Sequence, residues 1–338
     1  MNILRLDPLS GRWVAISTDR AHRSQFLPTY DQDYDESKEP CPFCPGNEEA
    51  TPPALETYNN DGHWLVRVVS NRFPAFNGNG PFVLQHHGPV FIDAPATGIH
   101  EVLILSPDHD TTWADFTPIQ TGLVMEAIRD RIEGHRTTPG LRYSQAIVNS
   151  GREAGASVHH PHGQLMGIPI IPRELIEEQG NFSRFSGGCL LCVAIAAEES
   201  AKDRLIQSTD HTITLAPYWS GSPYELLILP RTHETHLERS DENTLAGIGI
   251  AVRDALQALK SCLGNIAYNV VFHSAPYRST NLFHWHIHIL PKLITHAGFE
   301  LGTGLYINVI PPEEVAENLR QYTCNSVKIK QNDEKAAS

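Results

Sequence analysis

One spacing occurs twice in this chain. His109 and His160 lie 160 − 109 = 51 residues apart, and His233 and His284 lie 284 − 233 = 51 residues apart. A C-x-x-C pair precedes each: Cys41-Pro42-Phe43-Cys44 and Cys189-Leu190-Leu191-Cys192. Each second histidine opens an H-x-H, His160-Pro161-His162 and His284-Trp285-His286. Chance could supply one matched spacing. It does not readily also supply a C-x-x-C before and an H-x-H after it in both halves. The chain therefore reads as an internal duplication with an offset of 284 − 160 = 124 residues. Whatever fold it adopts must build the same unit twice.

The repeated residues are of metal-ligand type. Four of the six cysteines fall in the two pairs. Such pairs favour metal over disulfide in a reducing compartment. Two tetrads follow: Cys41, Cys44, His109 and His160, then Cys189, Cys192, His233 and His284. Cys₂His₂ is a closed, structural, tetrahedral zinc set with no open position for substrate, so two zinc ions per chain are expected. A redox C-x-x-C is the rival, but its thioredoxin-like βαβ setting is missing here.

Between the ligands the pattern alternates strand and helix. Residues 11–17, 64–70, 99–105 and 143–149 read as strands, and Thr117-Pro118-Ile119-Gln120 is a helix start running to about Gly134. After Pro172 the pattern begins again, with strands at 211–218, 224–229 and 266–272 and a helix from Ser240 to about Leu263. Residues 27–62 read as loop. The expected organisation is a half at 1–173, a half at 174–327 and a disordered tail at 328–338.

In Ser157-Val158-His159-His160-Pro161-His162-Gly163-Gln164, three imidazoles fall within four residues. An extended segment would send His160, His162 and Gln164 to one face. That face could fix a metal on one histidine and attack a substrate with the next. The net charge of −13 argues against a general nucleic-acid or anionic-membrane surface, so any phosphate site must be a local pocket. With no apolar run long enough to span a bilayer and no signal-peptide pattern at the start, the chain reads as soluble and cytoplasmic.

These motifs are similar to those of the galactose-1-phosphate uridylyltransferases, within the histidine-triad superfamily. The resemblance covers nearly the whole chain. It rests on His160-Pro161-His162-Gly163-Gln164, Cys41-Pro42-Phe43-Cys44, Ser106-Pro107-Asp108-His109, Ser70-Asn71-Arg72-Phe73 and Asn149-Ser150-Gly151. It implies an α+β fold of two tandem histidine-triad-like halves, each with antiparallel sheet and packed helices. It implies ping-pong nucleotidyl transfer between sugar 1-phosphates, with His162 as nucleophile and Gln164 as donor to the phosphoryl oxygens. Ser157 and the amides from Gly151 to Ala156 match a phosphate cradle, Asn71 and Asn149 match nucleotide contacts, and Arg20 and Arg23 resemble phosphate-binding arginines. The implied substrates are a UDP-sugar or ADP-sugar with a sugar 1-phosphate or phosphate, and the implied assembly is a homodimer.

Two departures bear on the reading. The well-known bacterial enzymes lack a second C-x-x-C and hold their second metal on a Glu and three His; Glu178, His273, His286 and His288 match by residue type. The second C-x-x-C is instead similar to a plant relative acting as an ADP-glucose phosphorylase. The reading places the second zinc on the Cys189 tetrad and favours UDP-glucose–hexose-1-phosphate (galactose-linked) transfer, with ADP-glucose phosphorolysis as the alternative. A histidine-triad hydrolase is disfavoured by Gln164, where such enzymes carry a further His. A non-enzymatic double zinc module binding RNA or protein is disfavoured by the acidic charge and the lack of an aromatic–basic stripe. Only the first half has a glycine-bearing loop, Gly151 to Ala156, before its histidines. Its counterpart, Ala275-Pro276-Tyr277-Arg278-Ser279-Thr280, has no glycine and has a proline. One catalytic centre, at His162, is expected.

Overall fold

The structure, a computed structural model, describes residues 2–18, 40–279 and 282–323. Arg20, Arg23 and the tail 328–338 lie outside the described residues. In chain order the first half supplies β1 (Ile3–Leu6), β2 (Trp13–Ile16), β3 (Ala54–Asn60), β4 (His63–Ser70), β5 (Gln85–His86), β6 (Ile92–Asp93), β7 (Ile99–Ile104), α1 (Pro118–Arg136), β8 (Tyr143–Ser150) and β9 (His162–Ile168). The second supplies α2 (Arg173–Arg184), α3 (Leu190–Ala201), β10 (Leu205–Ser208), β11 (Thr212–Leu215), β12 (Leu226–Pro230), α4 (Glu242–Leu263), β13 (Tyr268–His273), β14 (His286–Pro291), α5 (Gly298–Thr303), β15 (Tyr306–Asn308) and α6 (Pro312–Arg320).

The duplication is built as one sheet, not two. Ten strands run β10-β11-β12-β14-β13-β8-β9-β7-β4-β3, all neighbours antiparallel. The order reads the same from either end once each strand is matched to its repeat. The halves join at β8 and β13, where Ile147 pairs with Val271. Since 271 − 147 = 124, each of these residues faces its own counterpart, and a local two-fold axis passes between them. Pooling two five-stranded units in this way removes one exposed edge from each half.

Helix starts follow the local chemistry. The Thr117 hydroxyl accepts from the Gln120 amide at 3.2 Å, with Pro118 in the first turn. Asp241, rather than Ser240, caps α4, accepting from Thr244 N–H at 3.0 Å. These two helices cross at the pseudo-dyad on one face of the sheet, where the main core packs: Val66, Leu103, Val124, Met125, Ile248, Val252 and others. Gly249 makes the crossing close, since a Cβ there would lie 2.6 Å from the Thr121 carbonyl oxygen. Its counterpart across the axis is Met125, because 249 − 124 = 125.

The other face is treated differently in the two halves. Over the second half it is covered by α2, α3 and the N-terminal segment, in a second core that includes Leu9, Phe182, Leu191, Leu227 and Phe283. Over the first half the described residues that cluster there are Val69, Val102 and Ile104, with Phe43 and Trp64 against them. β1 and β2 form a small sheet with β15, and Arg5 is bonded to Glu313 at 3.1 Å, so this segment of the first half packs on the second. The expected loop 27–62 contains β3, an edge strand. Its sequence, Ala-Leu-Glu-Thr-Tyr-Asn-Asn, lacks the apolar alternation of a half-buried strand because both faces stay largely exposed.

Candidate active site and metal centres

The first tetrad converges. Cys41 and Cys44 sit in a turn closed by Cys44 N–H to Cys41 O at 3.4 Å; His109 follows β7 and His160 precedes β9. The Cys44 Sγ lies 3.3 Å from His109 Nδ1 and 3.6 Å from His160 Nδ1, and the two Nδ1 atoms are 3.4 Å apart. Tetrahedral zinc with ordinary bond lengths requires sulfur–nitrogen and nitrogen–nitrogen spacings of about 3.5 and 3.3 Å. All four donor atoms fall within 4.8 Å of one another. His160 Nε2–H donates to Ser106 O at 2.7 Å, which leaves the Nδ1 lone pair facing the cluster. Burial holds the His160 imidazole neutral, down to about 4. Burial, then the neighbouring Cys41, pushes the Cys44 thiol up to about 11. A cation would let both sulfurs ionise, so the donor set fits a zinc.

The second tetrad repeats this atom by atom. Cys192 Sγ lies 3.6 Å from His233 Nδ1 and 3.5 Å from His284 Nδ1, and Cys189 Sγ is 3.6 Å from His284 Nδ1. His284 Nε2–H donates to Pro230 O at 2.9 Å, the counterpart of Ser106 since 230 − 106 = 124. Burial takes His284 down to about 4, and burial followed by Cys189 pushes Cys192 up to about 12.

The Glu178 set also converges, and at a separate place. His273 Nδ1 is 2.9 Å from Glu178 Oε1, His286 Nε2 is 3.9 Å from Glu178 Oε2, and the three histidines form one potential ligand group. Glu178 Oε2 and His286 Nε2 are buried with no hydrogen-bond partner. Burial opposes ionisation of Glu178, yet the facing histidines hold its carboxyl down to about 2. Burial keeps His286 neutral, down to about 3. The two donor sets share no residue, so they are not alternatives for one ion.

His162 opens β9. Its Nδ1–H donates to His160 O at 2.9 Å, so the Nε2 lone pair is the ring's free nucleophilic position. The ring is buried, which lowers its pKa and keeps it neutral. The register Ile147↔Gln164 and Val148↔Gly163 brings Asn149 abreast of His162. Asn149, Gly151, His160 and His162 line one cleft with Lys260 and Tyr268. Gly151 and Gly155 take φ of +89° and +87°, a region that favours glycine. The amides of Ala154 and Ala156 both donate to Gly151 O at 3.1 Å, closing the loop on itself. Ser157 is exposed at the loop's end.

Gln164 and Asn71 meet through a residue the sequence reading passed over. His100 Nε2 lies 2.8 Å from Gln164 Oε1 and 3.1 Å from Asn71 Nδ2. Asn149 likewise has an unexpected partner, Asn269 of the second half, at 2.8 Å. The signal for His100 was its place in the strand 99–105, which pairs with the strand carrying Gln164. No sequence signal marks Asn269 before β8 and β13 are known to pair.

A duplicated α+β sheet with paired Cys/His donor sets and a histidine lining a cleft fits a nucleotidyltransferase. The chain belongs to the galactose-1-phosphate uridylyltransferase family. A family model described as the galactose-1-phosphate uridyl transferase N-terminal domain matches residues 1–172, and one described as a domain of unknown function matches residues 111–334. The ADP-glucose phosphorylase of Arabidopsis thaliana is 31% identical, with 94% of this chain and 92% of that protein covered. The galactose-1-phosphate uridylyltransferase of Haemophilus influenzae is 30% identical, covering 94% and 93%. The crystal structure of the Arabidopsis phosphorylase with bound ADP-glucose superimposes with a TM-score of 0.81 at 29% identity, over 95% of this chain and 99% of that one. A uridylyltransferase structure gives 0.74 at 25% identity, over 95% and 98%.

Proposed function

We propose that this enzyme moves a nucleoside monophosphate from a nucleoside diphosphate sugar to a phosphate-bearing acceptor through a covalent intermediate on His162. The observation that carries the reading is the 2.9 Å bond from His162 Nδ1–H to His160 O. It aims Nε2 outward while the ring stays neutral. Nε2 forms a bond to the α-phosphorus as the bond to the bridging oxygen breaks, and sugar 1-phosphate leaves with that electron pair. Nδ1 keeps its hydrogen, and the His160 carbonyl stabilises the charge that the ring acquires. A phosphate oxygen of the acceptor then displaces the ring. Gln164 and Asn149 donate to the phosphoryl oxygens as charge develops. Gly151, Ser157 and Asn71 border the nucleotide, and the family resemblance assigns Arg20 and Arg23, outside the described residues, to its phosphates.

The Cys41 and Cys189 tetrads would each hold a zinc ion in closed, structural coordination, which at the first site would steady the carbonyl that orients His162. The orphaned Glu178 and His286 atoms support a further cation at the Glu178 set. Uridylyl transfer to a hexose 1-phosphate, in galactose metabolism, is the first reading, supported by the uridylyltransferase relatives. ADP-glucose with phosphate as acceptor is the second, favoured by the assembled second tetrad and the Arabidopsis phosphorylase. No described helix is long and apolar enough to cross a membrane. Cysteines gathered with histidines into metal-ligand sets support a reducing, cytoplasmic setting, and the exposed Phe82, Leu84, Val90 and Phe91 support a homodimer. The acidic net charge supports a protein with no nucleic-acid partner. Parallel incubation with UDP-glucose and ADP-glucose, followed by intact-protein mass measurement, tests the reading. A uridylyl or adenylyl adduct identifies the base, and no adduct from either removes the proposal.

A further inference from the structure

Asn and Gln side chains present a donor end and an acceptor end of equal size, so their role depends on which way they are turned. Around His162 backbone groups settle the direction twice. Ala75 N–H donates to His100 Nδ1 at 3.0 Å. A backbone amide can only donate, so Nδ1 accepts and the ring carries its hydrogen on Nε2. Asn71 Oδ1 accepts from Phe73 N–H at 2.8 Å, so the Asn71 Nδ2 beside His100 is also a donor. The Nε2 hydrogen therefore goes to Gln164 Oε1 at 2.8 Å, and the Gln164 NH₂ faces away from His100.

The same logic holds on the neighbouring strand. Asn269 Nδ2 donates to Ala154 O at 2.8 Å, and a carbonyl oxygen can only accept. Its second hydrogen goes to Asn149 Oδ1 at 2.8 Å. The Asn149 NH₂ then points toward the glycine loop, where a Cβ on Gly155 would sit 3.8 Å from Nδ2. Both carboxamides beside His162 thus offer donors, the polarity that phosphoryl oxygens need.

We propose that His100 and Asn269 are positioning residues, holding the Gln164 and Asn149 carboxamides donor-outward toward a nucleotide at His162. The inference rests on the nucleotidyl-transfer reading above. It also gives the second half a part in the first half's chemistry, since β13 supplies Asn269. A carboxamide free to turn would present its oxygen to the phosphoryl group in part of the population. The loss should then fall on the chemical step more than on binding.

The test uses the full chain with UDP-glucose and ADP-glucose. His100→Asn removes the donor at the Nε2 position, whereas His100→Gln can place a nitrogen near it. Expected are a fall in kcat of about 10- to 100-fold for His100→Asn with KM changed less than about 3-fold, and substantial recovery in His100→Gln. In a Gln164→Ala background His100→Asn should cost nothing further. Asn269→Asp, which loses both hydrogens, should behave in the same way toward Asn149→Ala, and it decides the matter if His100→Asn does not fold. Absence of a wild-type adduct at His162 would remove the function reading. A wild-type adduct together with full-rate transfer by both His100→Asn and Asn269→Asp, or losses fully additive with Gln164→Ala and Asn149→Ala, would overturn the positioning inference alone.

Discussion

The two halves carry the same Cys₂His₂ donor set at matching places, yet they use the same sheet face differently. In both, the buried histidine of the tetrad presents its carbonyl to the next-but-one ring: His160 O to His162 Nδ1 and His284 O to His286 Nδ1, each at 2.9 Å. What differs is what lies above. Over β14, α2 brings Glu178 down onto His273 and His286, Phe283 stacks on His286 at 5.8 Å, and His286 has no exposure at all. Over β9 no such helix lies among the described residues: Phe43 tilts against His162 at 5.6 Å, and His162 keeps 6% exposure beside a glycine-bearing loop. The backbone device that orients a nucleophile is therefore not sufficient. On the reading proposed above, the less covered surroundings of His162 would select which copy reacts.

The largest expected effect is on that selection. His162→Ala should abolish adduct formation and lower turnover by at least about 10³-fold. His286→Ala should leave adduct formation at His162 detectable by mass spectrometry, although it disturbs the Glu178 set. Equal loss from both would erase the distinction drawn here.

The chelates should be independent and similar. Cys41→Ser and Cys189→Ser should each remove one zinc by elemental analysis, leaving the other site loaded. Each should lower the melting temperature by roughly 5–15 °C, several kcal/mol at about 2–4 °C per kcal/mol for a chain of this size. The first should also slow adduct formation, because only the first tetrad includes His160, whose carbonyl accepts from His162. A chain in which Cys189→Ser changed no zinc count would break the pairing.

Smaller effects probe places where the duplication is imperfect. Gly249→Ala would put a methyl 2.6 Å from the Thr121 carbonyl oxygen and should cost about 1–3 kcal/mol in denaturant unfolding. The short helical turn Leu237–Arg239 repeats Trp113–Asp115, placing Glu238 where the first half has Ala114. Both Glu238 oxygens are buried without partners, and burial raises its carboxyl to about 7 from an ordinary 4.5. The folded chain thus binds this proton more tightly than the unfolded chain. Stability falls as pH rises from about 4.5 to about 7 and then levels off. Glu238→Gln should match the wild type at pH 4.5 and be more stable by about 1–2 kcal/mol at pH 8. Equal stability at both pH values would mean that the carboxyl is solvated.

Much of this was legible in the sequence because ligand spacing survives folding unchanged. The 51-residue interval located both tetrads, and an N-cap Thr117 followed by Pro118 located α1. Three features were not legible. The fusion of the halves into one sheet depends on β8 and β13 pairing, and each reads alone as an ordinary strand. The partition of the faces depends on α2 and α3, whose sequences say nothing about where they dock. His100 and Asn269 are single polar residues in strands, and their meaning comes only from neighbours across the sheet. The choice between the Glu178 set and the Cys189 tetrad, posed as a question of residue type, dissolved once both were seen to assemble separately.

The most direct test counts reactive centres. After reaction with whichever of UDP-glucose and ADP-glucose gives an adduct, proteolysis and mass spectrometry should find one nucleotidyl group per chain, on the peptide containing His162. A second group on the peptide containing His286 would contradict the account, because it would mean that the covered face reacts as the open one does.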